Sequence, residues 1–183
     1  MPLNTWIALL RGINVSGRNS IPMAELRACC AELGYQAIQT YIQSGNIIFQ
    51  TDASPAQIET ALEQAIHSHF NLSIPVIVRH ATDWPSYIAN NPFPDQSHSQ
   101  ANLVMLTLSK AVPAADAVAK LRERAVSGEQ IKQVGDALWV YYADGVARSK
   151  LAPALFDRLV GSHVTARNWN TVLRLQELIQ SYG

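Results

Sequence analysis

The sequence has little of what marks secreted, membrane-spanning or metal-stapled proteins. Its only cysteines among 183 residues are Cys29 and Cys30, adjacent in a helical pattern that points them to different faces. A disulfide framework is therefore excluded. With no basic-then-apolar leader pattern after Met1, this favours a reducing, cytoplasmic location. No apolar run approaches the roughly twenty residues that span a bilayer, so a membrane is not expected as a partner.

Charge is also scarce. Charged residues make up 15% of the chain and the formal net charge is zero, so no global field draws the protein onto nucleic acid or an anionic membrane. Residues 1–91 carry four Arg/Lys and six Asp/Glu, whereas residues 92–183 carry ten and eight. The second half is mildly basic, which indicates either an anion site there or solvated helix faces.

Signatures of common catalytic and cofactor sites are missing too. His67 and His69 stand two apart on a predicted helix and face different ways, and the other histidines are scattered. There is no Gly-x-Ser-x-Gly elbow and no Gly-x-Gly-x-x-Gly fingerprint. We therefore expect no metal and no cofactor, and the sequence identifies no catalytic residue.

What the sequence does contain is the same order of elements twice. Apolar runs, turn residues and caps predict strand 6–10, helix 22–34, strands 37–43 and 47–51, helix 55–66, strand 75–79 and helix 82–90, then strand 102–108, helix 113–124, strands 130–134 and 138–142, helix 149–160, strand 164–167 and helix 170–180. Aligning the two hairpins sets Gly45 against Gly135 and Phe49 against Trp139.

This order predicts an α+β protein of two tandem ferredoxin-like (β-α-β-β-α-β) subdomains, each with an antiparallel sheet and an extra helix after it. The first subdomain is placed at 1–91. A polar linker follows at 92–100, and the second subdomain with the C-terminal helix occupies 101–183.

Polar loops at predicted strand ends are the candidate binding residues. The loop 11–19 contributes Arg11 and Asn14 after the first strand. Its Gly12 to Gly17 spacing imitates a phosphate loop, but Arg18-Asn19 replaces the Lys-Ser/Thr pair, so that interpretation is rejected. Since the first two strands of such a unit are parallel, we expect Arg11 near the hairpin that contains Asn46.

The second half offers a similar set. Arg148 and Lys150 flank Ser149 at a predicted helix start, where free amides and the helix dipole favour an anion. Arg167 and Asn170 lie at another strand-to-helix junction. Because the preceding strands are parallel, we expect these side chains at one end of their sheet, forming a phosphate or carboxylate cradle.

At these residues the sequence resembles a bacterial family of unknown function, domain-of-unknown-function family 1697. The resemblance rests on 7–22 (with Ala-Leu-Leu-Arg-Gly-Ile-Asn-Val and Ile-Pro-Met), on 40–49 (Thr-Tyr-Ile-Gln-Ser-Gly-Asn-Ile-Ile-Phe), and on 148–151 with 165–173. Ser16 stands where the family usually has Gly. The resemblance implies a two-subdomain α+β fold and brings no catalytic residues.

The leading hypothesis is that the protein binds a small anionic or phosphate-bearing ligand. The residues expected to bind it are Arg11, Asn14, Asn46, Arg148, Lys150, Arg167 and Asn170. Whether a reaction follows, and the oligomeric state, are left open. Two alternatives stand beside this: a nucleic-acid or protein-binding module that uses an open sheet face, and motifs that are purely structural. Nucleic acid is not favoured, because the third strands lack the basic-Gly-aromatic pattern of RNA-binding sheets.

Overall fold

The computed structural model describes residues 2–182. The chain divides into two compact units, one of residues up to Trp84 together with those from Glu177, and the other of residues 85–176. Each unit contains one four-stranded antiparallel sheet. The two tandem ferredoxin-like subdomains predicted from the sequence are confirmed.

The first unit is built on strands β1 (Asn4–Leu10), β2 (Gln36–Tyr41), β3 (Asn46–Thr51) and β4 (Val76–His80), with helices α1 (Met23–Glu32) and α2 (Pro55–Phe70). The strand order is β2-β3-β1-β4, and every neighbouring pair is antiparallel. Helix α2 begins with the predicted capping box: Ser54 Oγ accepts from the Gln57 amide, and Gln57 Oε1 accepts from the Ser54 amide.

Alternating residues of this sheet bury both of its faces. Ala8, Leu10, Ile47, Phe49 and Val76 pack with α1 and α2 in one apolar core. Ile7, Leu9, Ile48 and Ile77 are buried on the opposite face. A bulge at Ala37 interrupts β2, and the Tyr182 hydroxyl donates to the Ala37 carbonyl. The C-terminal residues are thereby fixed to this sheet.

The second unit repeats the plan with β5 (Val104–Ser109), α5 (Ala117–Arg124), β6 (Glu129–Val134), β7 (Ala137–Tyr142), α6 (Pro153–Val160) and β8 (Val164–Asn168). Its strand order, β6-β7-β5-β8, matches the first sheet strand for strand. Three further helices complete the chain: α3 (Trp84–Ala89), α4 (Pro94–Ser99) and α7 (Trp169–Gln180). The extra helix predicted after each repeat is thus present.

One face of the second sheet packs on α5 and α6 through Ile131, Leu138, Val140 and Phe156, among others. On the other face Trp139 is 1% exposed, and its ring lies 5.9 Å from that of Trp169 at the start of α7. Phe93, at the start of α4, lies 6.1 Å from Tyr141. Both faces are therefore buried here as well.

Several sequence-based boundaries need correction. The helix predicted from 149 begins at Pro153, after a 3₁₀ turn at Val146–Arg148, because Pro at the first helical position suits the start better than Ser149. The helix predicted from 113 begins at Ala117. Helix α4 lies within the segment 92–100. The division of the chain into a subdomain at 1–91, a linker at 92–100 and a subdomain at 101–183 stays a prediction.

The predicted pairing of Phe49 with Trp139 is wrong by one residue. Trp6 and Met105 stand at equivalent positions of β1 and β5, and their register partners are Phe49 and Val140. Phe49 consequently joins the core under the helices, whereas Trp139 lies on the opposite face of its sheet. The cause is the hairpin, which has four residues between β2 and β3 (42–45) and two between β6 and β7 (135–136).

Candidate functional site

The largest concentration of irregular backbone lies at one end of the first sheet. The connection from β1 to α1 spans residues 11–22, and beside it lies the hairpin 42–45. We call these two segments together the rim. The Leu10 amide donates to the Gly45 carbonyl at 2.9 Å, which joins the two segments. The expected proximity of the loop after β1 to this hairpin is confirmed.

Asn14 holds the rim together. Its Nδ2 donates to the carbonyls of Ile21 (3.0 Å) and Gln43 (2.8 Å), and its Oδ1 accepts from the Ile21 amide (2.8 Å). These three bonds occupy both N–H donors and the oxygen of the Asn14 side-chain amide. Asn14 is therefore a structural residue of the rim, rather than a group pointed at a ligand.

The tip of the loop is a miniature hairpin. Val15 and Arg18 form an isolated antiparallel bridge, and the Arg18 amide donates to the Val15 carbonyl at 2.9 Å. Ser16 and Gly17 between them both have positive φ, 51° and 74°, as a type I′ turn requires. The Asn14 amide donates to the Asn19 carbonyl one step further back. Arg18 is thereby fixed on the exposed tip.

Gly45 brings the hairpin against the loop at very short range. A Cβ added there would lie 2.8 Å from both Ile13 Cδ1 and Leu10 Cβ, and its φ is +84°. Only glycine allows this approach without displacing the neighbours. Ile13 itself is buried in the core of the unit, so the rim is anchored from below.

Arg11 begins the loop of the rim, and Asn46 directly follows its hairpin as the first residue of β3. Asn46 is 0% exposed, and its Nδ2 donates to the Tyr41 carbonyl and to Ser44 Oγ, both at 2.9 Å. It therefore shapes the hairpin. Arg11 is half-buried directly after β1, where its amide donates to the Pro75 carbonyl at 3.1 Å.

The charged residues of the two rim segments are both basic. Residues 1–24 contain Arg11 and Arg18 and no Asp or Glu, and residues 33–51 contain no charged side chain. The acidic residues of this unit lie elsewhere, for example Glu59 and Glu63 on α2, which accept from the amides of Val78 and Val76. The second half of the chain has the higher net charge, whereas the rim of the first unit contains arginines and no carboxylates of its own.

Arg148 and Lys150 are exposed in the connection after β7. Ser149 between them donates to Glu129 Oε2 at 2.8 Å, and the Arg148 carbonyl accepts from Ser127 Oγ at 3.2 Å. Buried Glu129 sets a carboxylate beside this segment. Arg148 and Lys150 consequently flank a serine that is bound to a buried carboxylate, and they precede α6, which begins at Pro153.

Arg167 is buried, at 7% exposure, in β8. Its guanidinium donates to Thr165 Oγ1 at 2.8 Å and to the Ala166 carbonyl at 2.9 Å. Burial lowers the pKa of this guanidinium to about 10, so it remains protonated at neutral pH. These contacts are those of a residue that holds its own strand.

The structure does not bring Arg167 together with Arg148. The order β6-β7-β5-β8 sets β8 at one edge of the sheet and β6 at the other, about 14 Å apart across three strand spacings. Arg148 lies at the β6 edge, beside Ser127. Strands β7 and β8 do end at the same end of the sheet, as predicted, but the Arg167 guanidinium bonds to its own strand. The cradle of two guanidinium groups stays a prediction.

Asn170 is exposed in the first turn of α7. The helix is capped by Asn168, whose Oδ1 accepts from the Thr171 amide at 3.0 Å. The adjacent Trp169 lines an open pocket of about 310 Å³ together with Ile88, Ala89, Asn91, Pro94, Ser97 and His98. Asn91 donates to Ser97 at 2.6 Å. No Lys or Arg lines the pocket, so it lacks the charge that would recognise an anion.

The aromatic residues of the third strands are not exposed stacking platforms. Phe49 is buried and stacks on Tyr35, with ring centroids 4.6 Å apart and an interplanar angle of 11°. Trp139 is buried against Trp169. Sheets that bind RNA bases need these positions open to solvent.

Among residues 2–182 there is no group of three or more His, Cys, Asp or Glu side chains arranged to hold a metal ion. Within the same part of the chain, no helix is long and apolar enough to cross a membrane.

Sequence reasoning missed two residues of the rim. Arg18 is absent from the predicted binding residues. The Ser16-Gly17 pair before it is typical of a tight hairpin turn, and this signal would place Arg18 at an exposed tip. Ile42 was assigned to a strand because isoleucine favours strands. In the structure it opens the hairpin with φ +49° and is 48% exposed.

Comparison with known proteins gives a family and a fold. A family model described as "Protein of unknown function (DUF1697)" matches residues 3–139, a span that includes the whole rim and ends before Arg148. No curated protein matches the sequence significantly. Among solved structures, conserved bacterial protein SP0830 from Streptococcus pneumoniae has a TM-score of 0.73 at 23% identity, over 97% of this chain and 99% of that one. This likeness supports the two-unit fold.

Proposed function

The chain belongs to the family described as "Protein of unknown function (DUF1697)", and from its own geometry we propose that it binds a small anionic, phosphate- or carboxylate-bearing ligand at the rim of the first unit. Arg11 and Arg18 supply the positive charge. Asn14 and Asn46 hold the loop and hairpin that present it.

One observation carries the proposal: the rim is longer than the fold needs. The second unit connects its equivalent strand and helix with seven residues, 110–116, where the first uses twelve, 11–22. Connections of this kind are ordinarily two to about six residues, and longer ones are commonly functional. Gly12, Asn14, Ser16, Gly17 and Asn19 all have positive φ, and such backbone clusters at functional sites.

The chemistry of the rim suits an anion. Two guanidinium groups stand in a stretch without carboxylates, and Arg makes bidentate, charge-assisted hydrogen bonds to phosphate and carboxylate. Successive backbone amides near left-handed residues also form concavities that accept anions. Both features occur in the loop 11–22, which is held in place by side-chain hydrogen bonds.

Titration calorimetry with inorganic phosphate, pyrophosphate and acetate tests the proposal. The informative pair of variants is Arg18→Ser and Arg148→Ser, since both arginines are exposed and each lies in an irregular segment of its own unit. Loss of a charge-assisted contact should weaken binding about tenfold in Arg18→Ser. Binding should also weaken as salt is added.

Arg148→Ser is expected to bind as the wild type does. The proposal fails if none of the three anions binds saturably, or if both variants lose affinity equally. In the second case the anion responds to overall charge and not to the rim.

We also propose that the protein works in the cytosol. Cys29 and Cys30 are both buried free thiols on α1, and an oxidising compartment favours paired cysteines. Fractionation of cells that express the protein, followed by detection in the cytosolic and periplasmic or secreted fractions, tests this. Recovery outside the cytosol would contradict it.

A further inference from the structure

Resting on the proposed function, we infer that the ligand is amphiphilic: an anionic head group that carries an apolar chain or ring. The head group lies against Arg11 and Arg18, and the apolar part lies against Ile42 and Val15. This assigns a ligand class to the rim, and the assignment comes from two exposed apolar side chains, one of which also has a disfavoured backbone conformation.

Ile42 is the first of them. It is 48% exposed, and its φ of +49° is in the left-handed region, where a β-branched residue is a genuine outlier. Asn or Gly at this position would relieve the backbone and hydrate better. An isoleucine that costs stability in both respects is explained by a contact made outside the folded chain.

Val15 is the second. It is 55% exposed and is the bridge partner of Arg18 in the miniature hairpin. Directly opposed residues of an antiparallel pair project from the same face, with Cβ atoms about 4.5–5.5 Å apart. A valine methyl surface and the Arg18 side chain therefore stand side by side on the tip of the loop.

The two apolar residues lie on adjoining segments of the rim. The hydrogen bond from Asn14 Nδ2 to the Gln43 carbonyl, 2.8 Å long, joins the residue before Val15 to the residue after Ile42. Two exposed apolar residues and two arginines thus lie on segments that contain no Asp or Glu. The positive charge favours an anionic ligand, and the exposed methyl groups favour one that also has an apolar portion.

Calorimetry with a matched pair of probes tests the inference: inorganic phosphate and monomeric hexyl phosphate. Burying part of the hexyl chain on Ile42 and Val15 should make hexyl phosphate bind about fivefold to tenfold tighter than phosphate. In Ile42→Asn, which keeps a residue tolerant of positive φ, that preference should fall to about twofold or less while phosphate affinity is unchanged.

Val146→Asn is the control, because Val146 is likewise 46% exposed but lies in the second unit; it should keep the full preference. If phosphate binds and hexyl phosphate binds no tighter, the amphiphilic ligand is excluded while the anion site stands. If Ile42→Asn retains the full preference, the assignment of the apolar part to Ile42 is wrong. If neither probe binds, the proposed function itself fails. A denaturation midpoint for Ile42→Asn at or above the wild type confirms that the variant is folded.

Discussion

The two units have the same sheet topology, but they connect equivalent strands and helices with different numbers of residues. Arg11 and Lys110 are equivalent: each directly follows the first strand of its unit, and each donates its amide to the residue before the last strand, Pro75 at 3.1 Å and His163 at 3.0 Å. From that shared point the first unit takes twelve residues to reach its helix and the second takes seven. Sheet order is the same in both.

The hairpins differ in the same direction. Four residues join β2 to β3, and two join β6 to β7. In the second unit the turn residue Asp136 accepts from the Tyr87 hydroxyl at 3.0 Å, which fixes the short turn within the fold. The second unit thus shows that the fold needs fewer residues at this end of the sheet, and we propose that the additional residues of the first unit bind the ligand.

The largest expected effect comes from the tightest approach in the rim. Gly45→Ala should lower the free energy of unfolding by about 3 kcal/mol, because the new methyl group combines a left-handed backbone with overpacking against Ile13 and Leu10. Gly135 occupies the shorter hairpin with φ +61° and nothing within 4 Å of an added Cβ. Gly135→Ala should cost only about 1 kcal/mol.

Urea denaturation of both variants measures the difference. Equal costs for Gly45→Ala and Gly135→Ala would mean that the loop and hairpin of the first unit are not packed as described.

Asn14→Ala should have the next largest effect. Three side-chain hydrogen bonds disappear, each worth about 0.5–1.5 kcal/mol net, and alanine is a poor residue for the φ of 53°. We expect a loss of about 2 kcal/mol. Exposed Asn170 provides the matched change in the second unit, and Asn170→Ala should stay within about 0.5 kcal/mol. Denaturation curves with the reverse ranking would show that Asn14 does not hold the rim.

The smallest expected effect is on the rate at which the cysteine thiols of the first unit react with a thiol reagent. Both cysteines are buried on α1, and desolvation raises the pKa of Cys30 to about 12. At pH 8 its thiol is protonated and enclosed, so an aromatic disulfide reagent should react only when this unit opens. Gly45→Ala should accelerate the reaction and Gly135→Ala should not. Fast reaction of both thiols in the folded wild type would contradict this burial.

The sequence was sufficient for the fold because its signals there are local and repeated. The run from Trp6 to Leu10, the capping box at Ser54 and the turn at Gly135-Asp136 each specify an element by themselves. Their recurrence in one order then fixed the topology. The predicted start of the helix at 149 is wrong, because a proline at the first helical position places the start at Pro153.

The candidate site was less predictable, because residue type does not say whether a polar side chain points outward or is used internally. Asn14 and Asn46 look like ligand groups in the sequence but satisfy neighbouring carbonyls. Arg167 is buried within its sheet. The exposed positions of Arg18 and Ile42 follow from a type I′ turn and from a left-handed φ. Both depend on how the loop packs against the hairpin, which the local sequence does not specify.

Amide chemical-shift mapping during a titration with phosphate tests the central claim most directly. The account predicts that perturbations concentrate in residues 11–19 and 42–45 and are absent from residues 143–152, which surround Arg148 and Lys150. Shifts centred on the second unit, or none that saturate in the first, would contradict it.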